Sequence, residues 1–200
     1  MSDIVRVLNF WIGAAADDAG IAASKNKLWF MSSPDADETI RCHFAKLLQA
    51  AEQGLLTEWE ESAHGSLALV ILLDQFSRNL YRGEARAFTN DDAALAISRQ
   101  LIDNGQHKLL KPVEQAFLYM PFEHAESATF QKQSVELFRI LKSEADPKWH
   151  HQIQSFLEHA IGHQQIITRF GRFPHRNRAL GRASTDQELA YLQSAKRFGQ

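Results

Sequence analysis

Residues 65–81 read Gly65-Ser-Leu-Ala-Leu-Val-Ile-Leu-Leu-Asp-Gln-Phe-Ser-Arg-Asn-Leu-Tyr81. The first half is apolar nearly all round a 3.6-residue helix, which predicts a central helix buried on several sides. Its aliphatic run, Leu67–Leu73, is far shorter than the ~20 residues that cross a bilayer. Such a helix needs others to bury it, and the flanking sequence supplies them. Ile40, Phe44, Leu47, Leu48 and Ala51 form one stripe at helical spacing. Ser33 and Pro34 offer an N-cap and a first-turn proline, Asp35, Asp37 and Glu38 suit the positive end of the dipole, and Gly54 provides the stop. Asp91 and Asp92 open a further helix that Gly105 closes.

Pro112 to Ser127 predicts a helix with a second proline, Pro121, in its interior, and His150 to Phe170 puts Ile153, Phe156, Leu157, Ala160 and Ile167 on one face. Ser184 and Thr185 stand three residues before Gln187 and Glu188, a doubled capping-box signal. Leu189, Leu192 and Ala195 then make a narrow stripe. No run alternates apolar and polar residues well enough to predict a strand, and no Gly/Ser linker divides the chain. The expectation is an all-α fold forming a single domain over residues 1–200.

Composition bounds the function classes. Two hundred residues with 44% apolar and 23% charged side chains are ordinary for a globular domain. A net charge of -2 gives the whole molecule no field toward nucleic acid or anionic lipid. A lone cysteine, Cys42, closes no disulfide within the chain, and the N-terminal residues lack the basic stretch and cleavage site of a signal peptide. A cytoplasmic protein without a membrane segment is expected.

Three polar segments carry the candidate chemistry. Arg169-Phe-Gly-Arg-Phe-Pro-His-Arg-Asn-Arg-Ala-Leu-Gly-Arg182 holds five arginines and one histidine with no acid. Removing these five from the 22 basic residues leaves 17 against 24 acidic ones, so positive charge is concentrated there. Gly171, Pro174 and Gly181 predict an irregular loop. Converging guanidinium forks make an anion site; alternatively, they pair with the protein's own carboxylates. In the second segment, Asp74-Gln-Phe-Ser-Arg-Asn-Leu-Tyr-Arg82, a continuing helix places Asp74, Arg78 and Arg82 on one face. That face is either part of a site or a plain ion pair at a helix end. In the third, Glu123, His124 and Glu126 follow the kink expected at Pro121. A carboxylate beside a histidine suits general acid–base work, whereas a solvated helix end needs no such role.

His159 and His163 have the i,i+4 spacing of two metal ligands. HExxH, Cys-x-x-Cys, an acidic calcium loop and a second Glu-x-x-His beyond Glu61 and His64 are all missing, so no metal is expected. Glycine-rich nucleotide motifs and a Gly-x-Ser-x-Gly elbow are missing as well, so no cofactor is expected.

The strings Arg169-Phe-Gly-Arg-Phe-Pro-His-Arg-Asn177 and Leu180-Gly-Arg182 resemble the signature of an uncharacterised bacterial family, the domain of unknown function 924 proteins. The resemblance runs nearly the whole chain. It takes in Phe10-Trp11, Leu72-Leu-Asp-Gln-Phe76, Arg78-Asn79, Tyr81-Arg-Gly83, Met120-Pro121, Glu123-His124, Glu126 and Ser184-Thr185. Ser77 stands where the pattern has proline and Ala125 where it has serine. The resemblance implies a tetratricopeptide-like stack of antiparallel helix hairpins and no agreed reaction.

The functional expectation is a polar pocket for a small anionic molecule bearing phosphate or carboxylate. Arg78, Arg172 and Arg176 clamp the anion and Asn177 orients it, with Asp74, Arg82, His163, Arg169, Arg182 and Glu126 around it. If chemistry occurs there, His124 or His175 works with Glu123 as acid and base. Whether the protein is an enzyme stays open. The alternative is a non-enzymatic scaffold holding a protein or peptide partner on an exposed aromatic strip of Trp11, Trp29, Phe30 and Trp59. RNA contact through the Arg169–Arg182 loop is disfavoured by the chain's acidity.

Overall fold

The computed structural model describes residues 1–31 and 33–193, so Ala195 of the expected terminal stripe lies outside the described residues. Among those residues every regular element is helical. Ser2 begins α1 (Asp3–Trp11) by accepting from the Val5 amide. Two short helices, α2 (Ala19–Ser24) and α3 (Asn26–Phe30), lead to α4 (Pro34–Glu52), where Ser33 caps and Pro34 occupies the first turn as expected. Ile40, Phe44 and Leu48 are the α4 residues that reach the core.

The central helix departs from a plain α-helix. It starts as α5 (Ala63–Val70), widens into a π segment (Ile71–Phe76), and finishes as α6 (Ser77–Leu80). Every residue from Leu67 to Phe76 is buried. A π turn inserts a residue into the helical ladder and is frequent at functional sites; here it carries Asp74 and Gln75 inward. The helix ends at Leu80, so Arg82 does not continue the Asp74–Arg78 face as the four-residue spacing predicts.

Gly65 sits so close to the preceding turn that a β-carbon there would meet the Trp59 carbonyl oxygen at 2.1 Å. Backbone cannot yield as a flexible side chain does. Gly65→Ala is therefore expected to cost about 1–3 kcal/mol, read from the urea midpoint. An unchanged midpoint would mean that the Thr57–Glu61 turn does not press on α5 in solution.

Helix α7 (Asp91–Asp103) packs on α5. Then α8 (Pro112–His124), α9 (Ala128–Glu144) and α10 (His150–Phe170) follow with short connections, each packing on the next. Helix α8 stops at His124, short of the expected Ser127, because the Gln131 amide of α9 donates to the Glu123 and Ala125 carbonyls at 2.6 and 2.8 Å. Gly171, with φ +70°, closes α10. The irregular loop after it contains one 3-10 turn (Pro174–Arg176) and leads to α11 (Asp186–Leu192), opened by the Thr185–Glu188 capping box.

One core runs from Val7 to Ala160, with Trp11 edge-on to Phe76 and Phe117, and Trp29 edge-on to Phe117. A smaller apolar cluster of Ile166, Ile167 and Phe173 seats the loop. Trp11, Trp29 and Trp59 are buried and Phe30 is half-buried, so these four form no exposed aromatic strip, which weakens the scaffold alternative. Among the described residues no helix is long and apolar enough to cross a membrane.

Candidate functional site

The π segment drives Asp74 to 0% exposure, where an ionised carboxylate survives only with partners. It has three. His124 Nδ1 lies 2.7 Å from Oδ1, the Arg78 guanidinium 3.0 Å from the same oxygen, and the Gln75 amide donates to Oδ2 at 2.6 Å. Burial opposes ionisation, but Arg78 and His124 outweigh it and hold the Asp74 carboxyl well below the usual range. Arg78 also donates to Asp91 of α7 at 3.0 Å. Arg176, from the loop after α10, reaches the same Asp91 carboxylate at 3.1 Å and the His124 carbonyl at 2.9 Å. Three segments distant in sequence thus join through Asp74–Arg78–Asp91–Arg176.

Behind this chain of charges lie Glu123 of α8 and His163 of α10, both buried, with His163 Nδ1 3.0 Å from Glu123 Oε1. Burial, reinforced by the charge of Asp74, pushes Glu123 up to about 8, so it holds its proton at neutral pH. Burial and then Arg78 push His124 down; burial and then His124 push His163 well down. His175 falls to about 3 for the same first reason, with Arg176 and Arg78 adding to it. Arg176 is lowered to about 10 by burial, still far above neutral pH. The interior therefore holds neutral imidazoles and a neutral Glu123 beside two paired guanidiniums.

His124, Asp91 and Arg176 also line a cleft of about 430 Å³, together with Glu126, Ser127 and Phe88. The Arg176 guanidinium lies between two rings, 4.6 Å from the Phe88 centroid and 4.5 Å from that of Phe173. Stacking covers its faces and leaves its edge for hydrogen bonds. Nη1 and Nη2 are engaged as above, while Nε is buried without a hydrogen-bond partner among the described residues.

The predicted residues thus divide. Asp74, Arg78, Glu123, His124, His163 and Arg176 come together, with His175 beside them, its ring 5.5 Å from that of Phe173. The other arginines of the expected site have partners elsewhere in the fold. Arg82 forks onto Asp37 of α4 at 3.0 and 3.1 Å. Arg172 donates through Nε and Nη2 to Glu188 and through Nη2 to the Ala183 carbonyl. Arg182 pairs with Glu126 at 2.6 Å, and that carboxylate also accepts from the Phe173 amide. Arg169 is exposed and lies over Phe170 and Tyr191. Asn177 is buried, donating to Ser184 and accepting from Arg182, which ties the loop to itself rather than to a ligand. Sequence reasoning missed Asp91, the bridge between Arg78 and Arg176, because it reads locally as a helix-opening acid. Phe88 was missed too, since no local pattern marks a ring that stacks on a distant arginine.

Comparison with known proteins adds a family but no activity. No curated protein matches the chain. The solved structure of a protein of unknown function, ATU0120, from Agrobacterium tumefaciens is similar, with a TM-score of 0.80 and 31% identity over 96% of this chain and 97% of that one. The profile described as "Bacterial protein of unknown function (DUF924)" matches residues 7–196. With nearly the whole chain covered, motif segments included, this protein belongs to the DUF924 family of bacterial proteins.

Proposed function

We propose that the cleft between α7, the α8–α9 turn and the loop after α10 binds a small molecule bearing a carboxylate or phosphate. The observation that carries this reading is the buried Arg176 Nε, a charged donor in a cleft-lining residue with no partner among the described residues. Buried donors are nearly always satisfied, and one left open on a cationic group is matched by an acceptor from outside. A volume of about 430 Å³ suits a metabolite of modest size. Asp92 and Glu126 share the lining, so a ligand with an amine or hydroxyl beside its anionic group fits better than a highly charged one. His124, held by Asp74 at 2.7 Å, is the group placed to exchange a proton with such a ligand.

Two finer features go with the proposal. The short connections and mutual packing of α8, α9 and α10 support helix hairpins stacked in the tetratricopeptide manner. The exposed thiol of Cys42, which forms no disulfide, suits a reducing cytoplasm.

The test is a thermal-shift screen of small carboxylates and monophosphates on the wild type and on Arg176→Lys, which keeps the charge and removes the Nε edge. A ligand present at 100 times its Kd adds about 2.7 kcal/mol, which raises Tm by about 5–10 °C in a chain of this size. The shift is expected in the wild type and not in the variant. Equal shifts in both, or silence across the library, would remove the reading.

A further inference from the structure

We propose that Glu123, His124 and His163 form a binding site for a divalent transition-metal ion of the zinc, iron or cobalt class. One carboxylate oxygen of Glu123 and one ring nitrogen of each histidine lie within 4.8 Å of one another. Ligand atoms around one tetrahedral ion are about 3.3 Å apart, so these side chains need to draw together by no more than about 1.5 Å. Two imidazoles and one carboxylate favour zinc or iron over magnesium or calcium, which take all-oxygen sets.

The groups behind the triad point the same way. Metal-bound histidines usually give their other nitrogen to a carboxylate or a backbone carbonyl, which fixes the tautomer and aims the ring. The ring of His124 has such a partner. His124 Nδ1 lies 2.7 Å from the buried Asp74 carboxylate, while His163 turns Nδ1 toward both Glu123 Oε1, at 3.0 Å, and the His159 carbonyl, at 2.9 Å. Ionised Asp74 only accepts, so Nδ1 of His124 carries the proton and its Nε2 has a lone pair, whereas the His163 nitrogen beside Glu123 is Nδ1, which releases its proton and its contact with the His159 carbonyl when it ligates an ion.

The charges nearby permit an ion. Arg78 and Arg176 are the closest cations, and both are paired, Arg78 with Asp74 and Asp91 and Arg176 with Asp91. Two carboxylates balance two guanidiniums, so Glu123, once ionised, adds an uncompensated negative charge. Access is through His124, which lines the cleft while Glu123 and His163 lie deeper. Three protein ligands leave a coordination position for water or for a molecule in the cleft. Sequence spacing pointed elsewhere: His163 belongs to the triad, but its i,i+4 neighbour His159 contributes only a backbone carbonyl. The partners come from α8, some 40 residues away, which no local motif encodes.

This inference is separate from the anion reading, because metal retention is measured with no organic ligand present. Chelator-treated protein is titrated with Co2+ alone, followed by visible absorption and by metal analysis after desalting. The expected result is one Co2+ retained per chain, with d–d bands of nitrogen and oxygen ligation, displaced by Zn2+ and not by Mg2+. Glu123→Gln and His163→Ala should each weaken retention at least about tenfold. If His163→Ala fails to fold by circular dichroism, Glu123→Gln, which preserves side-chain shape, decides alone. Weak Co2+ uptake without bands, or uptake that Glu123→Gln leaves intact, would assign the ion to surface histidines and overturn the proposal.

Discussion

Asp74→Asn is expected to lower stability by about 3–5 kcal/mol, the cost of removing one member of a buried ion pair and leaving the other without compensation. Asp74 is wholly buried and serves Arg78, His124 and Gln75 together. An asparagine of the same shape presents one acceptor and one amide donor, so it cannot satisfy all three. Arg78, itself little exposed, would keep Asp91, which Arg176 already shares, as its carboxylate partner, beside the residue-74 backbone carbonyl. The measurement is the shift in urea midpoint, matched by a fall in Tm of about 10 °C. Arg169→Ala, at an exposed position outside the network, should change stability by less than about 0.5 kcal/mol. A loss under about 1 kcal/mol for Asp74→Asn would show that the network contributes no more than surface pairs do. The double variant Asp74→Asn/Arg78→Met tests the cause: if the cost lies in the stranded cation, removing both charges recovers part of it.

Glu123→Gln is expected to change how stability depends on pH. In metal-free protein the folded-state value is about 8, against about 4.3 for an unperturbed glutamate. Between those values the folded chain retains a proton that the unfolded chain releases, so this group's contribution falls as pH rises. The contribution is fully present below about pH 4.3 and is lost as pH climbs through 8. Glutamine does not titrate. The variant should therefore gain on the wild type between pH 5 and 9 by something on the order of 4 kcal/mol, at about 1.4 kcal/mol per pKa unit. The lowered histidines act with the opposite sign, since below pH 6.5 the unfolded chain takes up protons that buried His124, His163 and His175 resist. That effect is common to both proteins and cancels in the comparison. A stability difference that stays constant across the range would mean that Glu123 is ionised in the fold.

The two experiments also separate architecture from function at one place. Asp74 holds the charges together, and its loss is read as unfolding. Glu123 contributes shape without charge in the apo state, so its glutamine variant folds and reports on the metal directly.

What the sequence determined by itself was whatever depends on neighbours within a few turns. The 3.6-residue stripe of α4, the limits of α10 at His150 and Phe170, and the Thr185–Glu188 capping box are short-range matters of periodicity and of end groups seeking hydrogen bonds. The buried character of residues 67–73 was legible for the same reason: a helix apolar on all sides has no stable place but a core. Tertiary structure decided the rest. The π turn at Ile71–Phe76 has no local signature, and it is what brings Asp74 against His124. Five arginines in fourteen residues look equivalent along the chain, yet Glu188 takes Arg172, Glu126 takes Arg182, and Arg176 alone of the five lines the cleft with His124. Charge pairing is chosen by distances between atoms that meet only after α7, α8 and α10 have packed, and a linear pattern carries the charges without those distances.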